Sequence, residues 1–198
     1  MDTGVTDAYL SMERLTHKQW WLGGIMRSIH RYASDGMVLT MLLHMVRHFA
    51  FDRYRGFRWF SWATGVILIW LVYISGINGF MLPWDRLAQF VTVATAEMLD
   101  WIPMFRGALI RNFIFEGAVN DRLFTLLSFV HLGAPLFVVM LMWIHVQRVP
   151  RSHTNPPRPI WIGLTLALLA VSLVRPALSG PAADLAAAPT TVPFDWFY

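Results

Sequence analysis

Four long apolar segments constrain the fold of this chain more than any other feature of its sequence. They cover residues 24–51, 60–82, 123–146 and 159–174, and the last is the shortest. A helix that crosses a bilayer needs about 20 largely apolar residues. Hydrophobic residues make up 56% of the chain, more than a soluble core requires. The segments predict an all-α fold, an integral membrane helical bundle of about four transmembrane helices with amphipathic surface helices.

The basic residues cluster after the first and third apolar segments. They are Arg47, Arg53, Arg55 and Arg58 in one loop, and Arg148, Arg151 and Arg158 in the other. If the spans alternate, both loops lie on one side of the membrane, and such loops mark the cytoplasmic side. Because this arrangement explains the net charge of +4, we expect membrane lipid as a partner and no nucleic acid. The prediction is a multi-pass protein of a bacterial-type inner, energy-transducing membrane.

The composition divides the chain into three regions. They are an amphipathic N-terminal surface segment at 1–22, the transmembrane bundle at 23–178 and a Pro/Ala-rich loop at 179–198. Between the second and third apolar segments, residues 83–122 mix charged with apolar side chains. This pattern predicts one or two short helices on the membrane surface, broken at Pro103 and Gly117.

Two pairs of histidines within the apolar segments share one spacing. His30 and His44 are fourteen residues apart, and so are His131 and His145. Fourteen residues of α-helix rise about 21 Å and return to within about 40° of the starting face. Each helix therefore presents two imidazoles on one face, at two depths. Since one span separates the two helices, they run parallel, and His30 can face His131 while His44 faces His145.

Two imidazoles at each depth favour haem over zinc. A single histidine in a span is most simply a hydrogen-bonded contact between helices, but two equal intervals indicate function. Zinc would need further ligands, and the chain has no cysteine and no nearby carboxylate to provide them. A haem brings four nitrogens of its own. We predict two haem b groups, bound without covalent attachment and suited to one-electron transfer.

Residues around the histidines fit the same cofactor. Arg27 and Arg47 lie three residues outside the pair on the first segment, where they could bind haem propionates or reach the headgroup region. Gly65 and Gly79 are again fourteen residues apart. Gly65 is level with the inner pair, His44 and His145, and Gly79 is level with the outer pair, His30 and His131. Glycine permits close approach of a flat cofactor or of another helix. Trp62 could donate its indole N–H to an inner propionate.

Polar residues after the third segment suggest a quinone as the redox partner. Arg148 and His153 could bind a quinone or supply its protons near the inner histidines. Alternatively, Arg148 and His153 are part of a solvated basic loop and do not bind quinone. Asp35, within the first segment, points away from the histidine face, and we expect it to contact another helix or subunit.

Three stretches of the sequence resemble the cytochrome b/b6 family, the quinol-oxidising core of bc-type complexes. They are GGIMRSIHRYASDGMVLTMLLHMVRH, FSWATGVILIWLVYISGINGFMLPWDRLAQF and FTLLSFVHLGAPLFVVMLMWIH, with a W-x-T-G motif at 62–65 and an LPWD motif at 82–85. The resemblance covers the family's second to fifth helices. It implies a low-potential haem b on His30 and His131, and a high-potential haem b on His44 and His145.

The C-terminal residues resemble the Pro-Glu-Trp-Tyr element of the family's quinol-oxidation site. Asp195 would stand for the glutamate and Trp196 for the tryptophan, with Phe194 in place of the proline. Quinone or quinol is therefore expected at this chain. Companion subunits would supply the missing helices, and a redox partner would be a cytochrome c, an iron–sulfur subunit or another dehydrogenase subunit.

These features support three functional hypotheses. The first is a dihaem subunit that exchanges electrons with quinone in a respiratory or photosynthetic complex. The second is a membrane anchor that relays electrons for a peripheral dehydrogenase and has no quinol-oxidation site of its own. The third is a redox-silent scaffold or a histidine-lined metal transporter.

Overall fold

A computed structural model of the chain describes residues 4–5, 7–113, 121–184, 186–187 and 191. Within these ranges the chain is helical, and its β pairing is an isolated antiparallel bridge between Asp85 and Ala182. The helices are α1 (Asp7–Glu13), α2 (Ile25–Ala50), α3 (Trp59–Met81), α4 (Arg86–Asp100), α5 (Ala108–Phe113), α6 (Asp121–Gln147) and α7 (Arg158–Val174). The all-α prediction is confirmed.

Among the residues that the structure describes, two stretches of helix are long and apolar enough to cross a membrane. They are Gly56–Met81, which includes α3, and Asp121–Gln147, which is α6. Helix α7 is apolar but has 17 residues. Helix α2 has 26 residues, about 39 Å at the usual rise, but its charged side chains make it less apolar. The four predicted spans thus coincide with four helices of unequal apolar character.

Two predicted surface segments are also helical. Helix α1 and the π-helical turn after it bury Ala8, Met12 and Thr16, which are spaced four residues apart. This spacing places them on one helical face. Between the long helices lie α4 and α5, separated by a turn that contains Pro103. Gly117, the second predicted break, lies outside the described residues.

The chain forms two compact units. The first comprises Met1–Gln19, Ile77–His131 and Leu178–Tyr198, and the second comprises Trp20–Gly76 and Leu132–Ala177. Helices α3 and α6 each contribute residues to both units. The boundaries that composition suggested, after residues 22 and 178, stay predictions.

The core of the first unit surrounds the turn between α3 and α4. Phe124 is completely buried and meets the indole of Trp84 edge to face, with ring centroids 5.1 Å apart. Trp84 has a φ of +52°, which is rare for a bulky residue. The next residue, Asp85, caps α4 by accepting a hydrogen bond of 2.9 Å from the Ala88 N–H. This short turn sets the direction in which α4 leaves α3.

The irregular segment after α7 is fastened to the start of α4 in the same unit. The Gly180 N–H donates to Oδ2 of Asp85 at 2.8 Å. The buried amide of Gln89 donates to the Asp184 carbonyl at 2.7 Å and accepts from the Asp184 N–H at 3.0 Å. The Pro/Ala-rich composition predicted a loop here, and these hydrogen bonds give the loop a defined path.

In the second unit, α2 packs against α7 and the residues that follow it. The hydroxyl of Ser28, fully buried, accepts from the Ala177 N–H at 2.9 Å. The Tyr32 hydroxyl donates to the Arg175 carbonyl at 2.5 Å. Asp35, which we expected to contact another helix or subunit, pairs with Arg31 on its own helix at 3.3 Å. Residues four apart are neighbours on a helix, and the expected contact of Asp35 with another helix or subunit stays a prediction.

Candidate haem site

His44 on α2 and His145 on α6 line one cavity of the second unit. Its volume is about 980 Å³, at the upper end of the range for ligand pockets. Apolar side chains of α2, α3 and α6 form much of its wall, including Met41, Leu68 and Met142. Imidazole and guanidinium groups complete the lining at His48, Arg53, Arg58, Arg148 and His153. A large apolar cavity with two imidazoles and several cations has the donor set for a haem and its two propionates.

The wall of this cavity is shaped by the W-x-T-G motif on α3. Gly65 faces His145 so closely that a Cβ at residue 65 would lie 3.3 Å from the imidazole Cε1. The preceding hydroxyl, on Thr64, lies 3.0 Å from Nδ1 of His145. Trp62 also lines the cavity. Gly65 of the motif therefore allows α3 to approach the His145 imidazole closely. Thr64 makes a polar contact with the same imidazole, which is a predicted haem ligand.

Gly79 has a similar relation to His131 within the first unit. A Cβ built at Gly79 would overlap the imidazole of His131. Two glycines fourteen residues apart on α3 thus face two histidines fourteen residues apart on α6. A Cβ at Gly79 would take the place of the imidazole, whereas one at Gly65 would require the imidazole to shift by a few tenths of an ångström.

An aromatic cluster holds Trp62 at the end of α2. Its ring centroid lies 6.1 Å from that of Phe49 and 5.6 Å from that of Tyr54. In the same loop, Arg55 donates a hydrogen bond to the Tyr54 hydroxyl at 2.8 Å and pairs with Asp52 at 3.0 Å. The hydrogen bond, and then the attraction of Asp52, raise the pKa of Arg55 above its ordinary value. The loop therefore keeps its positive charge at any physiological pH.

Three basic side chains that line the cavity were not predicted as site residues: His48, Arg53 and Arg58. The His48 ring lies 4.3 Å from the His44 ring, centroid to centroid, at an interplanar angle of 52°. Its position four residues after His44 was the signal that could have revealed it, since such residues share a helical face. The two arginines follow α2, and nothing in their local pattern distinguishes them from Arg55, which does not line the cavity that the structure describes.

The other predicted site residues are distributed over both units. Arg47 places its guanidinium over the Phe51 ring, 5.9 Å from the centroid, and is not among the described lining residues of the cavity. Arg27 and His30 lie on α2 in the second unit, and His131 lies in the first. Asp195 and Trp196 lie outside the described residues. The roles assigned to all of these stay predictions.

Comparison with known protein families finds one whose model matches most of the chain. The family described as cytochrome b/b6/petB matches residues 2–172. This chain belongs to the cytochrome b/b6 family. Membership makes it an integral membrane protein and a haem b electron-transfer subunit of a bc-type complex, which contains other subunits. A redox-silent scaffold or a metal transporter does not agree with that membership.

Individual relatives are similar over much of the chain. Cytochrome b6 of Prochlorothrix hollandica is 30% identical over 157 residues, which are 77% of this chain and 69% of the relative. Cytochrome b6 of Gracilaria tenuistipitata var. liui is 30% identical over 138 residues, or 68% and 63% of the two chains. Cytochrome b6 of Euglena gracilis is 31% identical over 159 residues, or 77% and 71%. The resemblance inferred from motifs is confirmed.

Proposed function

We propose that this chain holds two haem b groups, each between two histidines, and exchanges electrons with a membrane quinone in a bc-type complex of a bacterial-type inner membrane. The observation that carries the proposal is the cavity lined by both His44 and His145, with Gly65 in its wall. Bound haem b would supply one-electron transfer at an iron without an open coordination position.

The residues of the cavity have separate roles in this proposal. His44 and His145 hold the iron of the inner haem from α2 and α6. Gly65 leaves room for the flat ring beside α3. Trp62 and Arg148 bind propionates, by an indole N–H and by a guanidinium. Apolar side chains of the wall, such as Met41 and Met142, would lower the local dielectric constant around a bound haem, which strengthens these polar interactions.

The outer haem is proposed from the repeated interval. His30 lies fourteen residues before His44 on α2, and His131 lies fourteen residues before His145 on α6. The Gly79 contact with His131 supports the assignment, because it matches the Gly65 contact with His145. Arg27 would bind a propionate of this outer haem. By family resemblance, the outer haem is the low-potential one and the inner haem the high-potential one.

Quinone chemistry is proposed at two places. Near the inner haem, His153 and Arg148 line the cavity, where they can donate hydrogen bonds to quinone oxygens, and an imidazole can also carry a proton. For quinol oxidation, Asp195 and Trp196 are proposed from their resemblance to the family's motif. Companion subunits would complete the complex and accept the electrons, as a cytochrome c or an iron–sulfur protein does.

Optical spectra of the purified complex test this proposal. The wild type should contain two haems per chain with a b-type α-band, and added quinol should reduce them. His145→Ala should remove the inner haem and keep the outer one, and His30→Ala should do the reverse. One haem per chain in the wild type, or loss of both haems in either variant, would contradict the pairing. Two haems that quinol cannot reduce would instead favour an electron-relaying membrane anchor.

A further inference from the structure

The hydroxyl of Thr64 makes three close polar contacts on α3. Thr64 is 5% exposed. Its Oγ1 lies 2.9 Å from the Phe60 carbonyl and 3.1 Å from the Ser61 carbonyl, both on its own helix. The third contact, at 3.0 Å, is with Nδ1 of His145 on α6. All four residues belong to the second unit. A buried hydroxyl thus joins the W-x-T-G motif to a predicted haem ligand.

The three contacts constrain which atom donates each hydrogen bond, and the roles of Thr64 and His145 depend on the tautomer of the imidazole. A hydroxyl has one proton to donate and two lone pairs that accept. The carbonyls of Phe60 and Ser61 can only accept, so the proton of Thr64 is directed to them. With the hydroxyl proton directed to these carbonyls, the Thr64 oxygen accepts from His145, and the Nδ1–H tautomer is the one that fits the 3.0 Å contact. Because a neutral imidazole has one N–H, Nε2 of His145 is left with a free lone pair.

We propose that Thr64 is a positioning residue for the inner haem, which holds His145 in the Nδ1–H tautomer with Nε2 as the iron ligand. The inference rests on the proposed function, in which His145 binds haem. A hydrogen bond from the distal ring nitrogen fixes the orientation of a ligand histidine and makes it a stronger donor. A stronger donor stabilises the oxidised iron, so Thr64 lowers the midpoint potential of the inner haem.

Helix packing alone does not account for these contacts. The hydroxyl of Thr64 would be satisfied by the Phe60 carbonyl without His145. A valine has nearly the same shape, so it could fill the same space on α3. The Ser61 backbone also hydrogen-bonds His145, so a valine would remove one of two partners of the imidazole. What a valine cannot replace is the hydroxyl oxygen at Nδ1, and loss of that hydrogen bond in an apolar cavity is unfavourable.

Thr64→Val in the intact complex is the decisive variant. We expect an upward shift in the midpoint potential of the inner haem in a redox titration of its α-band. The electron paramagnetic resonance g-values of that haem should also change, because the imidazole plane is no longer fixed. The outer haem should keep its potential. Thr64→Ser, which retains the hydroxyl, should resemble the wild type in both measurements.

Thr92→Val is the matched control. Thr92 lies on α4, is 6% exposed and donates to the Ala88 carbonyl at 2.7 Å, the same bond that Thr64 makes to its own helix. Its substitution should leave both potentials unchanged. An unchanged inner-haem potential and g-values in Thr64→Val would overturn the proposal, as would an equal shift in Thr64→Ser.

If Thr64→Val loses the inner haem, the Thr64→Ser variant becomes the test of the positioning role. An inner haem of wild-type potential in the serine variant would support the positioning role, and its absence would overturn it. Failure of the proposed function is seen separately, because the wild type would then contain no haem that His145→Ala removes.

Discussion

Gly65 and Gly79 carry no side chain at the two places where α3 faces the histidines of α6. Neither residue has a positive φ, so the need for glycine comes from close approach and not from backbone freedom. A Cβ at Gly65 would lie 3.3 Å from Cε1 of His145, and one at Gly79 would overlap the His131 ring. In the proposed function, the imidazoles can hold a bulky cofactor only if no side chain of α3 projects towards them. At the residue scale, the absent side chains are therefore as important as the ligands.

Gly65→Val should displace His145 and remove most of the inner haem. Overpacking of this kind costs about 1–3 kcal/mol, and here the adjacent group is the ligand itself. Haem per chain, measured from the pyridine haemochrome spectrum, should fall from two towards one. Gly163→Val on α7 is the control, because nothing lies within 4 Å of a Cβ at that position. Full haem occupancy in Gly65→Val would contradict this prediction, because it would show that the cavity wall can shift to accommodate the valine.

At the scale of secondary structure, the turn between α3 and α4 also anchors the chain after α7. Asp85 serves both elements, with Oδ1 accepting from Ala88 and Oδ2 from Gly180. The chain direction changes at Trp84, which is held in its left-handed conformation by burial against Phe124. One carboxylate therefore connects the start of a helix to a segment 95 residues away.

Asp85→Ala should destabilise the protein by about 1–2 kcal/mol, since loss of a helix cap alone costs about 1 kcal/mol. The Gly180 N–H would lose its acceptor as well. Thermal unfolding in detergent should show a lower midpoint for Asp85→Ala than for the wild type. Asp85→Asn is the control, because asparagine caps helices about as well as aspartate. Equal losses of stability in the alanine and asparagine variants would argue against the capping role.

At the scale of the whole molecule, membrane orientation follows from the basic loops. Both loops flank helices that carry histidines, and arginines from both line the cavity. Lysine- and arginine-rich loops stay on the cytoplasmic side. The inner haem site should therefore lie towards the cytoplasm, and the segment after α7 should emerge on the opposite side.

Single cysteine variants can test this orientation because the chain has no cysteine of its own. Ser152→Cys, exposed in the loop after α6, should react with a membrane-impermeant maleimide in inside-out vesicles and not in right-side-out cells. Ala187→Cys, exposed after α7, should show the opposite pattern. Labelling of both variants from the same side would contradict the predicted topology.

The sequence by itself determined the helices and the spacing of the chemical groups along them. The apolar segment 123–146 became α6 at Asp121–Gln147, and segment 60–82 became α3 at Trp59–Met81. Such agreement is expected because a long apolar run in a membrane has to form a helix. The fourteen-residue intervals of histidine and glycine follow from the helical period. Family membership could therefore be inferred from local motifs.

Only the tertiary structure decided which side chains meet. The Thr64 contact with His145 joins residues 81 positions apart, and the Gln89 contact with Asp184 joins residues 95 apart. The proposed acceptor role of Thr64 rests on the short distances to the carbonyls of its own helix, which a sequence motif does not specify. His48 lines the cavity because its ring lies beside that of His44, one helical turn earlier on α2. Local pattern specifies which groups a helix carries, whereas packing between distant helices specifies the partner of each group.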